Sequence, residues 1–349
     1  MHIKENQPLA PFTTFGIGGP ARWFAEAASE QEIAEAAEWA RERGVPLFVL
    51  GGGSNLLIAD TGFAGLVLHV GLKGIERDGD VFRAGAGESW SNCVEQTLGV
   101  GCAGMECLAG IPGTVGGTPV QNVGAYGQEV ASVIERVRVF DRETREFVEF
   151  QNAECGFRYR RSRFNSTDRG RFIVTRVDYR VTPSGAPTLR YAELQRAVEA
   201  NRSGSGEPTL KEVAEAVRQI RRSKGMLLVD GDPDCRSAGS FFKNPVVSED
   251  LFQRIAARSA SALPRFPVGP GAENAGSVKI PAAWLIEQAG FQKGYTLGNA
   301  GISSRHTLAL INHSGATAGE ILALADKIAG AVEAQFGIRL EREPELVGF

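Results

Sequence analysis

The chain of 349 residues carries 38 Lys+Arg against 41 Asp+Glu, a formal net charge of −3, with 43% hydrophobic and 23% charged residues. That balance excludes extensive disorder and gives no bulk electrostatic signal for a nucleic acid or a membrane surface. At roughly 150 residues per domain the length suggests two or three domains, and no apolar run approaches the ~20 residues that span a bilayer.

The opening residues 1–6 lack the apolar stretch of a secretory signal, so a cytoplasmic protein is expected. Ser29, with Glu32 three residues on, forms a capping box opening a helix through Ile33, Ala36, Ala37 and Ala40 that stops at Gly44. The apolar run 46–50 reads as a buried strand leading into Gly51, Gly52 and Gly53, and 56–58 and 66–70 are further strands. Residues 1–72 thus read as a small α/β unit. Asp78-Gly79 marks a hairpin, a helix is expected from about 89 to 98, and a glycine-rich run extends from Gly99 to Gly127. The segments 133–140 and 146–150 alternate as hairpin arms do, and 172–181 alternates too. Thr209 and Glu212 form a second capping box, with Val213, Val217 and Ile220 on one helix face, so 73–225 reads as a larger α+β domain. The acidic, loop-like stretch 230–234 places a boundary within 226–237. In the remaining domain, 226–349, helices are expected near 248–259, 281–289 and 317–336, the last opened by a capping box at Thr317 and Glu320, with a strand at 307–311.

Glycine departs from the average: 43 residues, about 12% against a usual ~7%. Its clusters at 51–53, 110–117 and 124–127 serve either tight turns or backbone wrapped around a ligand. A dinucleotide fingerprint starting at Gly51 fails, because its register puts Leu56 where a small residue is required and a strand where a helix should begin. What survives is a nest of backbone N–H groups with Ser54 and Asn55 as further donors, suited to a pyrophosphate. The run 108–127 has no helix or strand period, yet Ile111, Val115, Val120 and Tyr126 want burial; a backbone-rich shell around a flat heterocycle such as a flavin satisfies both facts. Five cysteines without a C-x-x-C pair read as reduced, small hydrophobes. The four histidines have no ligand spacing, so no metal is expected.

The segments Thr13-Thr14-Phe15-Gly16-Ile17-Gly18, Leu50 to Asn55, Ile111 to Gly117, Gln121 to Gly127, Tyr159-Arg160 before Ser162, Ala238 to Pro245 and Pro344-Glu345 occur in an order that resembles the UDP-N-acetylenolpyruvoylglucosamine reductase family. The resemblance spans residues 6 to 348 and is closest to the subclass with a substrate-closing tyrosine. It implies an α+β fold: two N-terminal FAD-binding subdomains of the FAD-linked oxidase type, 1–72 and 73–225, and a C-terminal substrate domain, 226–349. It also implies FAD as cofactor, NADPH and UDP-N-acetylglucosamine-enolpyruvate as substrates, a role in peptidoglycan-precursor synthesis, a monomer, and no nucleic-acid or membrane partner. The cofactor residues it implies are Leu50, Gly51, Gly52, Gly53, Ser54, Asn55, Leu56, Ile111, Pro112, Gly113, Thr114, Gly117, Gln121, Asn122, Gly124, Tyr126 and Ile173.

The implied catalytic residues are Ser240 as proton donor and Arg160 with Glu345 as the pair stabilising an enol intermediate. Each has an ordinary alternative: Ser240 as a loop or cap serine, Arg160 as one of a solvated basic group with Arg158, Arg161 and Arg163, Glu345 as part of an exposed acidic tail. The family commonly follows Pro-Glu with Val-Arg, whereas Leu346-Val347 stands here, which leaves the local partner of Glu345 open. Tyr159, Tyr191, Lys224, Asn244 and His306 are the implied substrate contacts, the last three at the diphosphate. Lys224 also reads as helix-end charge beside Arg221 and Arg222. Two other functions remain open: a different FAD-linked oxidoreductase, and a nucleotide-sugar binding module without a flavin.

Overall fold

A four-stranded sheet opens the chain in the order Ile3–Pro8, Pro20–Ala27, Phe63–Val70, Leu47–Leu50. The computed structural model describes residues 1–201, 206–259, 261–266, 268 and 276–349. The first pair of strands is antiparallel and the other two pairings are parallel, which explains the nearly unbroken apolar run of the central strand: a strand in parallel pairing is covered on both faces. Helix Glu30–Glu42 buries Ile33, Ala36 and Ala40, and its N-terminus is capped as expected, Glu32 N–H donating to Ser29 Oγ.

A five-stranded antiparallel sheet follows, ordered Glu146–Gln151, Ile134–Asp141, Phe172–Arg180, Val81–Gly85, Ile75–Asp78. Its inward face supplies Val137, Val139, Val177 and Tyr179 to one continuous core with Trp90, whose indole N–H donates to the Leu108 carbonyl at 3.1 Å. Glu30 ties the first helix to this sheet: Arg138 donates to both its carboxylate oxygens at 2.8 and 3.0 Å, and the Thr175 hydroxyl donates at 2.7 Å.

The chain divides into two compact units: 1–8, 20–53 and 62–228 form one; 9–19, 54–61 and 229–349 form the other. In the second unit a three-stranded sheet, Thr296–Leu297, Ala300–Ile302 and Leu310–Asn312, packs with helices Ala282–Gln288 and Ala318–Phe336 around Phe241, Leu285, Ile321, Leu324 and Ile328. Strand Glu345–Val347 pairs in parallel with Leu56–Ile58.

The capping boxes at Thr209 and Thr317 open helices Leu210–Ser223 and Ala318–Phe336 as read from the sequence. The strand expected at 307–311 lies instead at Leu310–Asn312, because Ala309 N–H turns back to the His306 carbonyl and Ser303 N–H to the Ala309 carbonyl. Strand Ile3–Pro8 and helix Ala192–Asn201 were not anticipated. All five cysteines are buried thiols outside any disulfide, and burial pushes those of Cys93, Cys107 and Cys155 up to about 12. Among the described residues no helix is long and apolar enough to cross a membrane, and no group of three metal-ligating side chains forms.

Candidate active site

In the first unit, strand Leu47–Leu50 delivers Gly51, Gly52 and Gly53 against the loop around Gly113. A Cβ on Gly52 would stand 2.5 Å from Gly113 Cα, and one on Gly51 2.8 Å from Thr114 Oγ1. Contacts this short mean that main chain lies on main chain, which glycine alone permits. The facing loop is held in place by hydrogen bonds to its own neighbours: Trp90 N–H to Gly113 O, Val115 N–H to Glu88 O and Gly116 N–H to Ala86 O, at 2.8–3.1 Å. Thr118 anchors the next turn through a 2.7 Å hydrogen bond with the buried Tyr179 hydroxyl. Ile111, Pro112, Gly113, Thr114 and Gln121 are half-buried and Gly117 is exposed, all along this loop.

Two of the expected cofactor residues are spent within the protein. Asn122, at φ 47°, donates to Glu129 and to the Arg158 carbonyl while its own oxygen accepts from Ala131 N–H. Ile173 is fully buried in the core, opposite Phe140 in the sheet.

Arg160 Nη2 donates to the Gly124 carbonyl at 2.9 Å. Arg160 occupies left-handed backbone, φ 55°, inside a tight turn in which Arg158 and Arg161 exchange backbone hydrogen bonds at 2.9 and 3.1 Å. For a non-glycine residue that conformation costs on the order of 1 kcal/mol and persists only where its surroundings over-determine it. Its guanidinium lies 5.3 Å from the Tyr159 ring. Two residues past Gly124, Tyr126 (φ 48°) packs edge-to-face on Tyr191 at 6.4 Å, and burial pushes its hydroxyl up to about 12. Tyr191 is 41% exposed, a large aromatic left facing solvent. Lys224 is held by Glu193 at 2.7 Å. Sequence reading missed Arg221 here: rather than helix-end surface charge it is buried, donating to Gly110 O at 3.0 Å and Met226 O at 2.7 Å, and burial lowers its pKa.

In the second unit, Ser54, Asn55 and Leu56 lie beside the strand that carries Glu345. Glu345 N–H donates to Asn55 O at 3.0 Å, Asn55 Nδ2 donates to Glu343 O at 3.3 Å, and Leu56 stands opposite Glu345 in register. Ser240 is half-buried between Gly239, at φ 72°, and Phe241, which is fully buried against Phe15 and Phe242. Phe241 N–H donates to Leu308 O at 2.8 Å and its carbonyl accepts from Glu343 N–H at 2.9 Å, so the Ser240 and Glu345 segments run side by side. Among the described residues the Ser240 hydroxyl has no hydrogen-bond partner. Asn244 turns its carbonyl oxygen to the Ala282 N–H at 2.9 Å, at the start of helix Ala282–Gln288.

His306 sits on a turn whose neighbours are clamped by the acidic stretch that the sequence offered only as a loop. Asp234 accepts from Ser304 N–H at 3.1 Å, Ser304 Oγ at 2.6 Å and Arg305 Nε at 2.8 Å, while Asp232 also binds Arg305. The Arg305 hydrogen bond holds the Asp232 carboxyl below the usual carboxylate range.

Residues 232–347 match the model of the UDP-N-acetylenolpyruvoylglucosamine reductase C-terminal domain, and residues 21–149 match that of an FAD binding domain. The chain is 45% identical to the UDP-N-acetylenolpyruvoylglucosamine reductase of Streptomyces coelicolor, over 99% of this chain and 90% of that one. It is 46% identical to the Thermobifida fusca enzyme of the same name, over 99% and 98%. The crystal structure of the Thermus caldophilus UDP-N-acetylenolpyruvylglucosamine reductase superposes with a TM-score of 0.65 at 26% identity, covering 99% of this chain and 98% of that one. The chain belongs to the UDP-N-acetylenolpyruvoylglucosamine reductase family.

Proposed function

We propose that the protein reduces UDP-N-acetylglucosamine-enolpyruvate to UDP-N-acetylmuramate with NADPH, using FAD, in peptidoglycan-precursor synthesis. The observation that carries this reading is the 45% identity to a reductase of that name over 99% of the chain. One testable feature supports the cofactor: Gly52 packs main chain on main chain against Gly113, which brings two runs of backbone N–H and C=O groups together with no side chain between them, as binding through main-chain atoms requires. FAD, when bound, would supply the hydride-transfer chemistry between NADPH and the substrate. Its contacts fall to Leu50, Gly51, Gly52, Gly53, Ser54, Asn55 and Leu56, and to Ile111, Pro112, Gly113, Thr114, Gly117, Gln121, Gly124 and Tyr126. We assign Asn122 and Ile173 supporting places behind that shell.

When the enolpyruvyl methylene carbon gains hydride, electron density moves onto the carbon bearing the carboxylate, and that carbon must take a proton. Ser240 donates it from Oγ; a hydroxyl is a weak acid, but an enolate carbon is a strong base. Arg160 offers a planar fork to the substrate carboxylate, and Glu345 shares in stabilising the enol. Tyr159, Tyr191, Lys224, Asn244 and His306 hold the nucleotide sugar. The protein acts in the cytoplasm, as a monomer, with 1–72 and 73–225 as cofactor subdomains and 226–349 as the substrate domain.

Stopped-flow absorbance at the flavin band tests the reading. NADPH should bleach the holoenzyme anaerobically, and UDP-N-acetylglucosamine-enolpyruvate alone should restore the colour. A flavin that bleaches but ignores this substrate points to another FAD-linked oxidoreductase; a colourless protein that binds UDP-sugars points to a binding module.

A further inference from the structure

A crevice of about 630 Å³ opens in the first unit between the second half of helix Glu30–Glu42, the turn 142–145 and the turn 169–171. Its floor is apolar, formed by Ala34, Ala37 and Phe140; its walls carry Arg41, Arg142, Arg145, Arg169 and Arg171 against only Glu38 and Glu143. Those acids are already engaged. Glu38 pairs with Arg41 and stands 3.9 Å from Arg145, while Arg171 is shared between Glu143 at 3.0 Å and the buried Asp141 at 2.6 Å, so that with Asp141 included guanidinium groups still outnumber carboxylates around the crevice.

Arg142 is the informative side chain. It is half-buried, it donates to the Gly170 carbonyl, and it forms no ion pair among the described residues. Burial lowers its pKa. A partly desolvated guanidinium facing a cavity with surplus positive charge is stabilised by an anion, and the planar fork suits phosphate. The crevice is also remote from the glycine loops. Val45, on its wall, and Gly51 flank opposite ends of strand Leu47–Leu50, about 20 Å apart at ~3.3 Å per residue.

We propose that this crevice binds a small phosphorylated anion, held by Arg142 and Arg145 above the Phe140 floor. The volume lies in the range of small-molecule sites. The inference stands independently of the reductase reading.

Calorimetric titration of the FAD-loaded protein with inorganic pyrophosphate tests it, with saturating UDP-N-acetylmuramate present to occupy the substrate site. One saturable site is expected. Arg142→Gln should weaken it at least about tenfold, a change of ~1.4 kcal/mol, without altering flavin reduction by NADPH. Arg145 is 62% exposed, so Arg145→Gln should fold normally and weaken binding as well; it decides the matter if Arg142→Gln does not fold. A parallel titration with ADP separates the sources: tighter binding than pyrophosphate assigns the floor to a base, equal binding assigns the site to inorganic phosphates. No saturable binding, or wild-type affinity in the folded variants, overturns the proposal.

Discussion

Replacing Gly52 by Ala tests whether the cofactor cradle is built from main chain. The added methyl would lie 2.5 Å from Gly113 Cα, 2.9 Å from the Gly113 carbonyl carbon and 3.1 Å from Thr114 N. Carbon atoms rest at ~3.5–4.0 Å, so the two loops would have to part by about 1 Å. Every atom met is backbone, and the Gly113 side is pinned by the Trp90 N–H to Gly113 carbonyl hydrogen bond at 3.1 Å. Overpacking of this kind costs ~1–3 kcal/mol. If the displacement falls on the FAD-binding conformation, cofactor affinity drops about 5- to 150-fold. Gly99→Ala is the control, since nothing lies within 4 Å of the position that its methyl would take; it should be neutral or stabilise by up to ~1 kcal/mol. Flavin fluorescence during titration of each apoprotein gives the affinity, and melting with and without FAD separates loss of fold from loss of binding. A Gly52→Ala protein that keeps wild-type Tm and wild-type FAD affinity refutes the reasoning.

Ser240→Ala should leave flavin reduction by NADPH unchanged and slow reoxidation by the enolpyruvyl sugar ~10²- to 10⁴-fold; equal damage to both phases in stopped flow removes Ser240 from the proton-donor role. Asp234→Asn should loosen the turn carrying His306 and raise KM for the nucleotide sugar about tenfold with little change in kcat, whereas a fall in kcat alone would argue against a positioning role. Burial works to raise the Glu30 carboxyl, but the Arg138 and Thr175 hydrogen bonds outweigh it and hold its pKa below the usual value. A lowered folded-state pKa stabilises above the unfolded value of ~4.3 and is lost as pH falls through the folded value. Glu30→Gln should therefore cost ~1–2 kcal/mol at pH 7, a gap that narrows below about pH 4 in urea melts; a gap constant across that range contradicts the sign.

Local chemistry was the legible part. The Ser29, Thr209 and Thr317 caps each lie within three residues of their partners, so the sequence alone exposes them. Strand Ile3–Pro8 was invisible because its six residues, four of them charged or amide-bearing in a row, show no apolar alternation; pairing with Pro20–Ala27 makes it a strand. The Asp232 and Asp234 clamp was hidden because its partners Ser304 and Arg305 lie some seventy residues away. Arg221 looked like surface charge because a helix-end arginine and a buried one have the same spacing; only the Gly110 and Met226 carbonyls distinguish them. The family motifs single out Ser240 and Arg160 as candidates, but the left-handed turn at Arg160 had no signal in its neighbours.

The parallel pairing of Leu56–Ile58 with Glu345–Val347 has a consequence for biosynthesis. On a ribosome, every residue of the first unit has been polymerised once position 228 is reached, but segments 9–19 and 54–61 belong to the second unit. Those early segments must wait while almost three hundred further residues are added before Asn55 can meet Glu343 and Glu345. Closing so long a loop is slow relative to local folding. Nascent chains should therefore pass through a stage with one unit formed and two orphaned apolar strips, among them Phe15, Ile17 and Leu57, exposed to chaperones until translation has passed residue 347.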